Sequence, residues 1–137
     1  MTISKYIVEF LKIIGGVEID TNHMQDGSDQ YGLFKSPARD VNNFVDGSYS
    51  IKEQYQFLAR LNSVSETERK EADEILEELT YKVDDYSFEY DYPELDGKRK
   101  VMDISVTGCP CPMESEERET LYQISLSITY VREREVS

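Results

Sequence analysis

The longest alternation of apolar and polar residues in this chain covers residues 49–61. Most odd-numbered positions there are apolar, with Ser, Lys, Gln and Arg residues between them. A period of two is typical of a strand with one buried face and one solvated face. Asp46-Gly47 precedes this segment, and both residues tolerate the positive φ of a tight turn. The pattern predicts a hairpin that pairs residues 39–45 with residues 48–61.

Two other segments have the spacing of amphipathic helices. The first ends at Gly15-Gly16, a common helix stop. Its apolar stripe consists of Ile3, Tyr6, Ile7, Phe10, Leu11 and Ile14. Ser65 stands three residues before Glu68, the signature of a capping box at the start of a second helix. The apolar stripe of that helix consists of Ala72, Ile75, Leu76, Leu79 and Val83. We expect both stripes to cover a sheet.

Shorter alternating segments predict further strands. We expect short strands at residues 17–21 and 31–35, with a polar loop between them and an interruption of pairing at Ser36-Pro37. Another strand is predicted by Met102, Ile104 and Val106, and it should end at Gly108 and a Cys-Pro-Cys-Pro turn.

Residues 84–96 alternate Tyr or Phe with acidic residues and serine, which leaves two interpretations open. They form either an edge strand or an extended loop that carries aromatic side chains to a partner. The strongest strand pattern follows later, with Tyr122, Ile124, Leu126, Ile128 and Tyr130 on one face. These elements predict one α+β domain over residues 1–137, with a mostly antiparallel sheet and two main helices packed on one face. We expect residues 131–137 to be a frayed tail.

The net charge of −13 comes from 28 acidic and 15 basic residues. Such a surface repels nucleic-acid phosphates, which argues against a DNA- or RNA-binding protein. Residues 66–96 alone hold 13 acidic and three basic residues. A solvated helix face is the simpler explanation, and a surface past which DNA slides without sticking is the sharper one. The acidic candidates are Glu66, Glu71, Asp73, Glu74, Glu77, Glu78, Asp84 and Asp85.

The residues that usually carry catalysis or bind metals are sparse. Cys109 and Cys111 are too close for a comfortable disulfide, and the single histidine, His23, is distant in sequence. We interpret the two cysteines as part of a structural turn, with zinc shared between subunits as the alternative. No nucleophile elbow or phosphate-binding loop is present. The sequence therefore predicts neither an enzyme nor a cofactor.

Neither a membrane-spanning apolar run nor a signal sequence is evident, so we expect a soluble cytoplasmic protein without membrane contact. Ten tyrosines and five phenylalanines suggest surfaces that are partly apolar and partly wet, as at subunit interfaces. Tyrosines that cap a small core are the alternative. The interface candidates are Tyr31, Phe34, Tyr86, Phe88, Tyr90, Tyr92 and Met113.

The order of these features resembles a known family. Asp46-Gly47-Ser48 leads into a long strand, an acidic helix follows, and a Tyr92-Pro93-Glu94-Leu95 loop precedes the closing strand at residues 121–130. Over residues 41–131 this resembles the small tail-terminator-like proteins, also called minor capsid or head–tail joining proteins, of phages and phage-derived tail particles from Gram-positive bacteria. Members often carry a Trp where this chain has residues 76–81, and this chain has none.

The resemblance implies a tail-terminator-like fold and a hexameric ring at the head-proximal end of the virion tail, assembled in the cytoplasm of the bacterial host. Such a ring stops polymerisation of the tail tube and gives the neck proteins a docking face. The implied partners are further copies of the chain, the tube protein, and sheath and head-completion proteins, while DNA passes without specific binding. Another neck protein, an acidic DNA mimic that acts as a monomer or dimer, and a small enzyme are the alternatives.

Overall fold

The computed structural model describes residues 1–15, 19–21, 30–62, 64–115 and 119–133. Within these ranges the chain forms two helices and five strands. They are α1 (Ile3–Gly15), β1 (Ile19–Thr21), β2 (Gln30–Asn43), β3 (Tyr49–Asn62), α2 (Glu66–Glu89), β4 (Arg99–Ser115) and β5 (Glu119–Arg132). The sheet order is β1-β2-β3-β5-β4, and every pair is antiparallel except β1 with β2. The predicted α+β fold with a mostly antiparallel sheet is confirmed.

The core lies between the two helices and one face of the sheet. The odd positions of β3 and the even positions of β5 point into it, as the alternation predicted. Its most deeply buried members are Ile7, Phe10, Leu11, Tyr55, Phe57, Leu76, Val83, Ile104, Ile124 and Ile128. Fully burying one such side chain stabilises the fold by roughly 1.5–3 kcal/mol.

Both helix boundaries predicted from capping signals are present. The Ser65 side chain accepts a hydrogen bond from the Glu68 backbone N–H, with 3.1 Å between Oγ and N. The Glu68 carboxylate accepts one from the Ser65 N–H, with 3.3 Å between Oε1 and N, which completes the capping box. The helix α1 ends at Gly15. The prediction that Ile75 belongs to the buried stripe of α2 is wrong, because Ile75 is 45 % exposed while its neighbour Leu76 is fully buried.

The helix α2 is longer than predicted. Residues 84–89 are neither an edge strand nor a loop, since the helix continues to Glu89 and only residues 90–96 form a loop. The physical reason is packing, because the ring of Tyr86 meets that of Phe10 edge to face, with 5.0 Å between centroids. Val83, Tyr86 and Tyr90 are spaced three and four residues apart, as on one face of a helix. Over so short a segment, alternating Tyr and acidic residues therefore fit the helical period of 3.6 as well as the strand period of two.

The strand β4 passes through the Cys-Pro-Cys-Pro segment, so the predicted turn is wrong. Cys111 lies opposite Gln123 and Pro112 lies opposite Tyr122. Proline is tolerated here because β4 is the last strand of the sheet and pairs only with β5. The pairing register shifts between Val101 and Asp103, and Val101 is buried in the core while Met102 is half exposed.

The strand β2 is continuous where two shorter strands were predicted, and it ends at Asn43, before Val45. The predicted interruption at Ser36-Pro37 appears as a register shift between Lys35 and Arg39. The expected short strand is present at Ile19–Thr21. Residues 131 and 132 belong to β5 and are not frayed. Residues 22–29, including His23, and residues 134–137 lie outside the described part of the chain.

Candidate interaction surfaces

Three of the seven predicted interface residues are used inside the subunit. The ring of Tyr31 stacks on that of Phe57, with 5.7 Å between centroids and 12° between planes. Tyr86 packs on Phe10, and Tyr92 lies beside both rings. All three tyrosines are half-buried against the core. Their position agrees with the alternative interpretation, tyrosines that cap a small core.

The other four candidates have different surroundings. Phe88 is 86 % exposed and Tyr90 is 62 % exposed, both near the end of α2. Phe34 is half-buried opposite Gln56, on the sheet face that the helices leave uncovered. Met113 lies in β4, but its side chain is outside the described part of the chain. Phe88 and Tyr90 therefore remain the candidates most accessible to a partner.

Part of the outer edge of β4 is already occupied by side chains from α2 and the loop that follows it. The Tyr92 hydroxyl accepts a hydrogen bond from the Ile104 N–H, with 3.0 Å between O and N, and donates one to the Ile104 carbonyl. An Asp84 carboxylate oxygen lies 3.0 Å from the Val106 nitrogen and accepts its hydrogen. Further along, Pro110 and Pro112 have no N–H to offer. The backbone groups of Ile104 and the N–H of Val106 are therefore not available for pairing with another strand.

All eight predicted acidic candidates lie on α2 and are exposed. The helix holds ten acidic and three basic residues, a net charge of −7. The four long strands together hold five acidic and seven basic residues, a net charge of +2. Two solvent-exposed pairs, Glu66 with Lys70 and Glu78 with Lys82, contribute little and leave α2 strongly negative. Among the helices and strands, negative charge is thus concentrated on α2.

A groove of about 600 Å³ lies between α1 and the second half of α2. We call it the interhelical groove; its apolar lining comes from Ile13, Ile14, Tyr81, Tyr86 and Tyr90, and its charged lining from Glu78, Lys82, Asp85 and Glu89. Ile13 is 67 % exposed and Tyr81 is 57 % exposed. Apolar side chains in the groove are therefore open to solvent, with acidic residues beside them.

The turn between β2 and β3 is the second exposed apolar feature; residues 44–48 are called the hairpin tip. Asp46 accepts hydrogen bonds from both the backbone N–H and the hydroxyl of Ser48, at 2.9 and 2.6 Å from its Oδ1, and these bonds lower the pKa of the Asp46 carboxyl. Gly47 has a φ of 92°, as the Asp-Gly turn predicted. These bonds stabilise the turn, in which Phe44 is half exposed and Val45 is entirely exposed.

Sequence reasoning missed the hairpin tip as a surface, because Val45 was assigned to a strand. The available signal was a pair of large apolar residues immediately before a turn.

Sequence reasoning also missed that the uncovered sheet face has no charge at its centre. Three adjacent rows there contain Gln54, Ser105 and Ser127; Phe34, Gln56, Ser125 and Gly108; and Gly32, Leu58, Gln123 and Cys111.

Glu53 is an exception to the solvent-exposed acids, since it is buried on the core side of β3. Its carboxylate accepts hydrogen bonds from the hydroxyls of Tyr55 and Tyr130, each at 3.2 Å, and lies 3.5 Å from the Lys35 ammonium. Burial, with the Glu53 charge adding to it, raises the pKa of both tyrosines to about 12. This arrangement satisfies a buried charge and joins β2, β3 and β5.

Residues that could bind metal do not cluster within the described ranges, where no three His, Cys, Asp or Glu side chains are placed to hold an ion. Cys111 is a free, exposed thiol, and the side chain of Cys109 lies outside the described part.

Neither described helix is long and apolar enough to cross a membrane. In comparisons with known proteins, no family model matches the chain, and no curated protein sequence matches it significantly.

Proposed function

We propose that this chain is a structural tail terminator of a phage-type tail. Copies of it form a hexameric ring at the head-proximal end of the tail tube, stop polymerisation of the tube and give the neck proteins a docking face. The protein assembles in the bacterial host cytoplasm and has no catalytic role. The separation of charge between α2 and the sheet is the observation that carries this proposal, together with the resemblance over residues 41–131.

A ring through which DNA passes needs one strongly negative surface and other surfaces that bind protein. The helix α2 supplies the first, because its net charge of −7 is held by side chains that face solvent. Phosphates within about 8–10 Å of such a surface are repelled at moderate salt, so DNA does not adhere. The nearly neutral sheet can approach another protein without comparable repulsion. A DNA mimic needs only the acidic surface.

The exposed apolar residues support an assembling protein over a mimic that acts alone. Phe88, Tyr81 and Val45 are each more than half exposed in the isolated subunit. Burying such side chains against a partner is favourable by roughly 25 cal/mol for each Å² of apolar surface removed from water. Around Ile104 and Val106, where the backbone of β4 is already bonded, a partner would meet side chains rather than backbone.

The test is the growth of tail tubes in the presence of this protein. The major tube protein of the same tail is allowed to polymerise with and without it, and tube lengths and tube ends are recorded by negative-stain electron microscopy. We expect tubes that carry a ring at one end and stop growing there. Unchanged growth, with no ring at any tube end, would contradict the proposal. Displacement of DNA from a basic protein would instead favour the DNA mimic.

A further inference from the structure

The side of α2 that lines the interhelical groove forms a continuous stripe along the second half of the helix. At the groove, α1 contributes Ile13 and Ile14 from its last turn. The lining residues of α2 recur three and four positions apart, which places them on one helical face. They are Glu78, Tyr81, Lys82, Asp85, Tyr86, Glu89 and Tyr90. At 1.5 Å per residue this stripe is about 18 Å long, enough for about three turns of a second helix alongside it.

The apolar side chains of the groove meet water in the isolated subunit. Ile13, Tyr81 and Tyr90 are each more than half exposed. Tyr86 lies at the base of the groove, with its ring against that of Phe10. In the interior of α2 the backbone N–H and C=O groups bond within the helix, so an extended peptide finds no strand edge here. An occupant must therefore bind through side chains, as one helix packs against another.

The carbonyl end of α2 lacks the positive charge that this end of a helix favours. The last carbonyl groups of a helix carry a partial negative charge, which nearby cations stabilise. In α2 the last turn contains Glu89 and no basic residue. Lys82 is the basic residue of the described groove lining, and its ammonium lies 3.3 Å from the Glu78 carboxylate. Asp85 and Glu89 form no ion pair with any described residue, so both carboxylates and the helix end would attract an incoming cation.

The described elements of this chain do not offer a strongly basic segment that matches the groove. The hairpin over residues 39–52 is neutral and carries the Asp46 carboxylate at its tip. The helix α1 has a net charge of +1, and its apolar stripe is buried in the core. A second copy would therefore bring little positive charge to the groove. The complementary occupant is a different protein.

From these observations we infer that the interhelical groove is the docking site for a basic amphipathic helix of another protein. Apolar side chains of that helix contact Ile13, Tyr81 and Tyr90, and its Lys or Arg side chains face Asp85 and Glu89. The inference does not rest on the proposed ring. The negative charge that repels nucleic-acid phosphates attracts a basic helix, and the apolar side chains give the contact its position.

The test uses the full chain and designed peptides. The probe is a fluorescein-labelled peptide with Leu at helical spacing on one face and Lys and Arg on the other. One control peptide has the same composition in an order that forms no apolar face, and another has Glu in place of Lys and Arg. Fluorescence anisotropy at physiological salt should show that the probe binds, and that both control peptides bind about tenfold more weakly or less.

Matched variants of the protein locate the binding site of the probe. Asp85→Lys with Glu89→Lys should weaken binding about tenfold or more. Glu71→Lys with Glu74→Lys changes the charge of α2 by the same amount outside the groove, and should weaken binding less than about threefold.

A second pair of variants tests the apolar contact. Ile13→Ser in the groove should weaken binding of the probe about fivefold, because an apolar contact with the Leu face is lost. Ile75→Ser, at an exposed isoleucine of α2 outside the groove, should leave binding unchanged. Circular dichroism of each variant checks that it is folded.

Three results would overturn the inference. The first is that the probe does not bind, and the second is that the scrambled peptide binds as tightly as the probe. The third is an equal loss for the two pairs of charge reversals, which would show that the peptide follows the charge of α2 as a whole. Because these measurements use a single subunit and a peptide, none of the three results decides whether the chain forms a ring.

Discussion

The helix layer and the open face of the sheet both meet solvent in the isolated subunit, but their chemistry differs. The outer side of α2 exposes carboxylates along its length, with a net charge of −7. The centre of the uncovered sheet face has amides, hydroxyls, the Cys111 thiol and a few apolar groups. Some of its polar groups bond to one another, as Ser105 does to Ser127 and Gln123 does to Gln56. Contact with water does not by itself require this difference, because charged and uncharged polar side chains are both well solvated.

The helix α2 thus holds −7 of the total charge of −13, whereas the four long strands together are slightly positive. An acidic surface excludes other polyanions, whereas a face that lacks charge at its centre has the composition of an interface core. Substitutions in α2 and in the sheet should distinguish interactions that stabilise the subunit from those that determine what it contacts.

The largest expected effect comes from the side of α2 that faces the sheet. Leu76→Ala should lower the free energy of unfolding by about 2–5 kcal/mol, because the side chain is fully buried and leaves a cavity. Ile75→Ala, one residue earlier on the solvent side, should change it by about 1 kcal/mol or less. Urea unfolding monitored by circular dichroism measures both, and equal losses would contradict the orientation of the helix.

The next effect contrasts a buried carboxylate with the exposed ones. Glu53→Ala should cost about 1–3 kcal/mol of stability, since two tyrosine hydroxyls lose their acceptor. Glu53→Gln keeps an acceptor oxygen and should cost less. Glu74→Ala on the outer face of α2 serves as the control and should stay within about 0.5 kcal/mol. Thermal unfolding measures the stability of all three variants. Equal losses of stability for Glu53→Ala and Glu74→Ala would contradict a role for the buried hydrogen bonds of Glu53.

The buried tyrosines should also be visible in the alkaline titration. Burial is the main cause that raises the pKa of Tyr6, Tyr55 and Tyr130 to about 12. Because the folded pKa lies above the ordinary value of 10.0, this contribution to stability is complete below pH 10 and is lost as the pH rises towards 12. Absorbance at the tyrosinate band should show exposed tyrosines ionising first and the buried ones with unfolding. Ionisation of all tyrosines near pH 10 in folded protein would disagree.

The smallest expected effect on stability lies in the acidic surface itself. The combination Glu71→Gln, Asp73→Asn and Glu74→Gln should change the free energy of unfolding by about 0.5 kcal/mol or less, since all three side chains are exposed. When the protein is immobilised and DNA is passed over it, the same variant should retain more DNA than the wild-type protein at low salt. The difference should disappear at high salt. Retention that is equal for both proteins at low salt would separate the acidic surface from any role in DNA passage.

Most of the fold could be predicted because its strands alternate cleanly and its helix boundaries have specific signals. The buried positions of β3 and β5, the Asp46-Gly47 turn and the capping box at Ser65 follow from local chemistry that tertiary packing did not change. The errors fall where packing decides. The Tyr and acid alternation at 84–89 fits two periods, and only the contact of Tyr86 with Phe10 selects the helix.

The candidate surfaces were less predictable because exposure depends on neighbours that are distant in sequence. Tyr92 was predicted to meet a partner, but its hydroxyl binds the backbone of Ile104 on the edge strand. The eight acidic candidates are exposed, as expected of charged side chains on a helix, and their role at a bore or surface stays a prediction. The hairpin tip was missed because an apolar residue beside a turn is usually assigned to the strand that precedes it.

The central claim is that this chain assembles into a ring, and the mass of the protein in solution tests it most directly. Light scattering of the purified protein, with and without the major tube protein, compares the measured mass with the 15.9 kDa of one chain. The account predicts a hexamer, or a monomer that becomes a ring only on the end of a tube. A stable monomer that ignores the tube protein would contradict it.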